Sequence, residues 1–265
     1  MRVDWVHPSW RDLVIAELAE DAETRRHFLA RCGVDGAAVA LSGAGGATGE
    51  RERPLLREDA DWDALADGLY AFCHDIDEAD AIRLLSVLET AGDDDEVRAL
   101  AELVLKRLRW AGKPISVDAL AAWFPVAAKL DPRPEPPAVG MMWVELEPHA
   151  APSGPQELER FADWLRLAEL LHEHDADLLE RLGFPDRYQG VLKAFAEHTP
   201  SYEPVLEREL RIETLDRLAR LDPELEDRAI SEIAELIPPV FSYENLDPPP
   251  ARREFPVARV LRDLG

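Results

Sequence analysis

Apolar residues recur along most of this chain at the spacing of one face of an α-helix. The clearest case lies between residues 93 and 112, where apolar side chains fall at i, i+3, i+4, i+7, i+8 and i+11, namely Val97, Leu100, Ala101, Val104, Leu105 and Leu108. This spacing places them in a single stripe. Four acidic residues precede the stripe, and its end carries Lys106, Arg107 and Arg109, which is the order of charge that the helix dipole favours. The pattern predicts an amphipathic helix over 93–111.

Comparable patterns predict about ten helices in all. They are expected near 9–20, 22–32, 34–41, 60–74, 77–91, 93–111, 116–129, 155–174, 176–198 and 203–237, the last two broken near residues 183–185 and 222–223. Strand patterns are weak, so we expect at most short marginal strands near 2–6 and 141–146. No fixed repeat period is present. The predicted fold is all-α, an irregular right-handed stack or bundle of helix pairs.

Two proline-rich stretches interrupt the helical pattern. Residues 131–155 contain seven of the 21 prolines, and residues 238–256 contain six more. Because proline breaks helices, neither stretch is expected to be one continuous helix. The sequence therefore predicts an N-terminal helical block at 1–130, a linker or ordered loop at 131–155 and a C-terminal helical block at 156–240. The rest, 241–265, is predicted to be an extended proline-rich tail that ends in a short turn at Val257–Leu264.

The charge is strongly acidic and uneven. The chain has 54 acidic and 30 basic residues, a formal net charge of −24, and residues 59–102 contain 14 Asp and Glu against two Arg. Such a polyanion argues against nucleic acid and anionic membrane as partners. Short basic clusters, at 106–109 and at Arg51 and Arg53, are typical of helix ends or loops. Two interpretations of 59–102 stay open: a solvated outer face of several helices, or a docking face for a basic partner.

Cysteine content and apolar runs indicate a cytoplasmic protein. Cys32 and Cys73 are the two cysteines, too few and too far apart for a disulfide framework or a CxxC metal pair. No apolar run approaches the roughly 18 residues of a membrane span, and the first residues lack the apolar core of a secretory signal. We expect no membrane partner, no metal and no cofactor.

The glycine-rich stretch LSGAGGATGERERPLL, at 41–56, does not match a phosphate-binding loop. A Walker A loop needs two glycines five positions apart, followed by lysine, because its amides and the lysine together hold the phosphates. Here the spacing from Gly43 to Gly49 is one residue too long, and Glu50 takes the place of the lysine. The dinucleotide pattern also fails, since Thr48 replaces its third glycine. The stretch is interpreted as a flexible connection between helices.

Candidate catalytic residues are few. His172 and His174 lie two positions apart, so on a helix their rings point in different directions and cannot share an ion. Cys73, His74 and Asp75 are adjacent in sequence, whereas catalytic triads assemble from distant segments. HExxH and GxSxG motifs are absent from the sequence. A helical hydrolase, with Asp, Glu and His converging from separate helices, has little support, and we predict that the chain is not an enzyme.

The stretch VDWVHPSWRDLVIAEL, at 3–18, contains the most specific local pattern. Ser9 can cap a helix, with Asp12 three residues on as the reciprocal acid. Trp10, Leu13, Val14 and Leu18 are then spaced to form one apolar stripe, which we expect to be buried.

Residues Val6 to Leu13 of that stretch also resemble the end of the winged-helix region of STAND-class P-loop NTPases, above all the bacterial group whose signature reads like HPSFRDFL. The resemblance covers roughly the first 55 residues. It implies that residues 1–20 are a winged-helix remnant, and that His7 corresponds to the histidine that reaches toward the β-phosphate of bound ADP. The chain has no Walker A, Walker B or arginine-bearing sensor segment. The resemblance therefore implies the helical extension that follows such an NTPase core, with His7 meeting nucleotide only if an NTPase module is supplied in trans.

Two functional expectations follow. The first is a non-catalytic regulatory, sensor or scaffold arm of a STAND-type signalling or defence NTPase. The second is a stand-alone acidic helical interaction module with no NTPase ancestry, docking through residues 59–102. The expected partner is a protein in both cases, either an NTPase module or a basic surface.

Overall fold

A computed structural model of the protein describes residues 8–42, 44–45, 51–108, 115–197 and 205–237. These ranges are mainly helical, which confirms the predicted all-α fold. The helices are α1 Pro8–Glu20, α2 Ala22–Leu29, α3 Gly33–Leu41, α4 Asp59–Phe72, α5 Glu78–Ala91, α6 Asp95–Arg107, α7 Val117–Leu130, α8 Val139–Leu146, α9 Pro155–His174, α10 Ala176–Arg181, α11 Gln189–Ala196, α12 Val205–Leu221 and α13 Glu226–Leu236. A 3-10 turn at Pro223–Leu225 joins the last two, and Ala44–Gly45 pairs antiparallel with Arg51–Glu52.

Local sequence fixes many of these helix ends. Asp21, Asp77 and Asp94 each precede a helix and accept a hydrogen bond from a backbone N–H of its first turn. Ser116 does the same for α7. Such N-caps satisfy amides that have no partner within the helix. At the other end of α5, Gly92 adopts a φ of 120°, a conformation that favours glycine.

By internal contacts the chain divides into two compact units, residues 1–139 and 140–265. The division falls at the start of α8, within the stretch where the sequence predicts a linker or ordered loop. In the first unit, α2 packs on α4 and α4 on α6, while α3 packs on α5 and α5 on α7. This is a stack of helices in two rows, α2, α4 and α6 in one and α3, α5 and α7 in the other, with α2 contacting α3 and α6 contacting α7. Its handedness stays a prediction.

The first unit has a leucine-rich core and one especially close helix contact. Leu65, Leu84 and Leu88 are fully buried. At Gly68 of α4, a Cβ would lie 2.7 Å from the carbonyl oxygen of Leu29 at the end of α2. Because that neighbour is backbone, a larger residue at position 68 would force the two helices apart.

The second unit is built around α9, which packs on α12, and α12 packs on α13. Its core is an aromatic cluster of Trp143, Phe161, Trp164, Phe184, Tyr188 and Phe195. The indole N–H of Trp143 donates to the Tyr188 hydroxyl at 3.1 Å, and that hydroxyl donates to Glu147 at 2.9 Å. These bonds satisfy polar atoms that the cluster removes from water.

The marginal strand predicted at 141–146 is wrong, because this segment belongs to α8. Val139, Met142 and Trp143 are buried at i, i+3 and i+4, which is helical rather than alternating spacing. Packing of Trp143 against Trp164, with ring centroids 5.1 Å apart, holds the helix on α9. The strand predicted near 2–6 lies outside the described residues.

Candidate interaction surface

The motif that carries the family resemblance is only partly within the described residues. His7 lies outside them, and α1 begins at Pro8. The expectation that Leu13 and Val14 belong to a buried stripe is wrong, since they are 67% and 40% exposed. The helix instead buries Ala19 and packs against α2. Tertiary packing, rather than the local apolar spacing, decides which face of α1 is covered.

The candidate chemical groups differ in their burial and in their partners. Cys73 is buried, and burial raises the pKa of its thiol to about 11, so it is protonated at neutral pH. His74 and Asp75 form an exposed pair at 2.9 Å. His172 and His174 lie on the last turn of α9. Within the described parts of the chain, no group of three His, Cys, Asp or Glu side chains is placed to hold a metal ion.

Basic side chains tie helices together in the first unit. Lys129 of α7 donates to the carbonyl oxygens of Leu88, Glu89 and Gly92 at the end of α5. Arg53 donates to the Ala91 carbonyl oxygen there at 2.6 Å and pairs with Asp94 at 2.9 Å.

Arg107 of α6 contacts the end of α4 in a similar way. It donates to the carbonyl oxygen of Tyr70 at 3.2 Å, and its guanidinium lies 3.7 Å from the centroid of the Tyr70 ring. The positive charges of Lys129, Arg53 and Arg107 are thus engaged in contacts within the unit.

The structure separates the 14 carboxylates of the 59–102 run into two classes. One class has a role in capping, pairing or backbone contact: Asp61, Asp75, Asp77, Glu78, Asp80, Asp93, Asp94 and Glu102. The other class is exposed and has no polar partner among the described residues: Asp59, Asp63, Asp67, Glu89, Asp95 and Glu96. Asp59, Asp95 and Glu96 lie in the first turn of a helix, where the dipole favours acid.

Asp63 and Asp67 have no such local explanation. With Asp59 they form a stripe at i, i+4 and i+8 along the exposed face of α4, opposite its buried Leu65 and Leu69. We call these three residues the acidic stripe. Like charges at i and i+4 destabilise an isolated helix by about 0.2–0.5 kcal/mol per pair. The acidic stripe is therefore a surface feature that the fold of α4 does not require.

A second surface feature is an apolar groove where α6 packs on α7. The groove has a volume of about 350 Å³ and is lined by Glu102, Leu105, Lys106, Leu108, Trp123, Leu130, Glu135 and Pro137. Trp123 and Leu108 are only 8% exposed, whereas Leu105, Leu130 and Pro137 are half-buried. Its polar rim consists of the ion pair of Glu102 with Lys106, at 2.5 Å, and the exposed Glu135. We call it the α6–α7 groove.

The sequence did not indicate the α6–α7 groove. Leu105 and Leu108 belong to the apolar stripe of the helix predicted over 93–111, which indicates a core position rather than a groove. Leu130, Glu135 and Pro137 come from the end of α7 and the proline-rich stretch after it. No local pattern joins these segments, because they meet only through the packing of α6 on α7.

Comparison with known proteins leaves the chain without a family assignment. No family model matches it, and neither the curated proteins nor the solved structures gave a significant match. No described helix has the length and apolar character needed to cross a membrane.

Proposed function

We propose that this protein is a non-catalytic interaction module that binds a basic protein surface through the acidic stripe of α4. The observation that carries the proposal is the arrangement of Asp59, Asp63 and Asp67 in one exposed row without polar partners among the described residues. Stacked helices commonly act as extended binding surfaces, because each layer of the stack contributes one strip of exposed side chains. Unpaired carboxylates in a row attract a basic partner and speed its encounter.

The charge distribution around the stripe supports this proposal. Arg107 and Arg53 are held at helix ends by carbonyl oxygens, and Arg25 pairs with the buried Asp61. These three arginines are thus engaged elsewhere and do not neutralise the stripe. A partner that supplies Lys or Arg would relieve the like-charge repulsion along α4 and would also form attractive charge pairs with the stripe. Both effects would favour binding.

The test is a double substitution, Asp63→Asn with Asp67→Asn. Immobilised full-length protein is used to capture partners from a cell extract at about 50 mM and about 500 mM salt, since exposed charge pairs are screened over this range. We expect a partner that is retained at low salt, released at high salt and lost from the double variant. The melting temperature of the double variant should not fall, because the substitutions remove repulsion within α4.

The matched control is Glu159→Gln with Glu173→Gln, which removes two exposed carboxylates from α9. It makes the same change in net charge and should keep the partner. If the partner is retained equally at low and high salt, and equally by the wild type and the α4 double variant, the acidic stripe is excluded as the docking face. Equal loss from both double variants would mean that total charge, rather than the stripe, is recognised.

The resemblance at Val6–Leu13 favours one particular partner, a STAND-type NTPase module with which the chain acts as a regulatory or scaffold arm in signalling or defence. The chain has neither a Walker A lysine nor a metal-ligating group of side chains within its described parts, so nucleotide chemistry would belong to that module. The test is ATP binding and hydrolysis by the purified chain. Micromolar binding or turnover that disappears in His7→Ala would overturn the non-catalytic assignment. Binding that appears only after an NTPase module is added, and depends on His7, is the expected result.

A further inference from the structure

We infer that the α6–α7 groove binds residues 251–265 of a second copy of this chain. The inference is independent of the proposed function, because it concerns a different surface and a different partner. It rests on the apolar lining and acidic rim of the groove, and on the composition of that segment.

The α6–α7 groove has the composition of a binding site for an amphipathic helix. Leu105, Leu130 and Pro137 are half-buried and line it together with Trp123. In helix-in-groove recognition, apolar side chains at i, i+3, i+4 and i+7 enter such a groove, and its charged rim orients the ligand. A volume of about 350 Å³ is at the small end of the range for ligand sites and suits a few side chains rather than a whole helix.

The segment ARREFPVARVLRDLG, at 251–265, has the matching sequence. Its apolar residues Val257, Val260, Leu261 and Leu264 recur at i, i+3, i+4 and i+7, the spacing of one helix face. Four arginines and two acidic residues give it a formal charge of +2 in a chain of net charge −24. The segment therefore combines an apolar face with a basic character that is rare in this protein.

Charge favours the encounter of the segment with the groove. Glu135 has no ionic partner among the described residues, and Glu102 shares the rim with Lys106. Arg252 and Arg253 precede the apolar residues of the segment, so that they can pair with rim carboxylates while Val260 and Leu261 enter the groove. Mutual exchange of the segment between two copies gives a closed, two-fold symmetric dimer.

Two measurements on the full-length protein test the inference. Sedimentation velocity over roughly 1–100 µM should show association that increases with concentration. Fluorescence anisotropy with a labelled synthetic peptide of residues 251–265 should show saturable binding. A peptide of the same composition, scrambled so that its apolar residues lose their helical spacing, should bind at least about tenfold more weakly.

Substitutions locate the binding site. Glu135→Lys, at an exposed position of the rim, should weaken peptide binding about threefold or more, and Leu105→Asp about tenfold. Glu159→Lys makes the same charge change on the exposed face of α9 and should alter the affinity by less than about twofold. Asp63→Asn with Asp67→Asn should leave the peptide affinity unchanged, which separates this inference from the proposed function.

Several outcomes would overturn it. Equal binding of the scrambled peptide, or equal weakening by Glu159→Lys, would reduce the interaction to nonspecific charge attraction. If the protein neither self-associates nor binds the peptide, residues 251–265 are excluded as the ligand of the groove. A chain that binds the peptide but remains a monomer throughout the concentration range would exclude a second copy as the source of the segment.

Discussion

Asp61 lies fully buried at the start of α4, inside the acidic run that the sequence presents as surface. Its carboxylate accepts hydrogen bonds from Arg25 at 3.0 Å and Arg26 at 3.2 Å. It also accepts from the backbone N–H groups of Arg57 and Glu58. One aspartate thereby joins α2 to α4 and caps the N-terminus of α4.

The surroundings of Asp61 set the sign of its pH dependence. Burial by itself raises the pKa of a carboxyl group, but the Arg25 hydrogen bond and the two backbone N–H groups outweigh burial and lower the pKa of Asp61. A folded-state pKa below the unfolded value, about 3.9, contributes stability above that value. The contribution is lost as the pH falls through the unfolded and then the folded pKa.

We predict that Asp61→Asn lowers the free energy of unfolding by about 3 kcal/mol or more, because the buried Arg25 loses its closest carboxylate and retains the more distant, exposed carboxylate of Glu58 at 3.7 Å. Urea unfolding at neutral pH, followed by circular dichroism, measures this loss. The stability of the wild type should fall more steeply than that of the variant between about pH 5 and pH 3. Asp63→Asn, two residues along the same helix and exposed, is the control and should stay within about 0.5 kcal/mol of the wild type. Similar losses in the two variants would contradict this role of Asp61.

At the scale of elements, the end of α5 is held by side chains from two other segments. Lys129 of α7 donates to three of its carbonyl oxygens, and Arg53 donates to a fourth. The last carbonyls of a helix lack partners within it and carry the negative end of its dipole. The α5–α7 contact is therefore a C-cap as well as an apolar interface.

Replacing Lys129 by Met should lower the free energy of unfolding by about 1–2 kcal/mol, since a charged donor to three carbonyls is lost while most of the apolar stem is kept. Thermal and urea unfolding measure the change. Lys106→Met is the matched control, because Lys106 is 73% exposed and forms only an i,i+4 pair with Glu102. It should cost no more than about 0.5 kcal/mol. The role of Lys129 as a cap would be refuted if the two substitutions had the same effect.

At the scale of the whole molecule, a formal net charge of −24 acts on every part of the chain. Self-repulsion of this size destabilises the compact state, and added salt screens it. The buried pairs, such as Arg25–Asp61 and Arg211–Glu232, are shielded from solvent and respond less to salt than exposed charges do.

We therefore expect the melting temperature to rise when NaCl is increased from about 20 mM to about 300 mM, because screening relieves more repulsion than it weakens attraction. Differential scanning calorimetry at fixed neutral pH measures the shift. The variant Asp63→Asn with Asp67→Asn, which carries two fewer negative charges, should show a smaller rise. A melting temperature that falls with salt would mean that attractive surface pairs dominate the electrostatics of the fold.

The sequence by itself determined the helical class and most of the helix positions. Caps such as Asp94 and breakers such as Gly92 act within a few residues, and the stripe from Val97 to Leu108 needs only the period of the helix to be recognised. For that reason the helix predicted at 93–111 corresponds to α6 at Asp95–Arg107. The resemblance around His7 and the functions it implies stay predictions.

Only the tertiary structure decided which residues of the same type are buried and which are exposed. Asp61 and Asp63 are both aspartates of α4, yet one is buried against Arg25 and the other is exposed in the acidic stripe. Trp143 of α8 packs on Trp164 of α9, a contact that buries the face of α8 carrying it. The α6–α7 groove exists because Pro137 and Trp123 are brought together with Leu105. Each of these outcomes depends on contacts between residues far apart in the chain, which no local pattern contains.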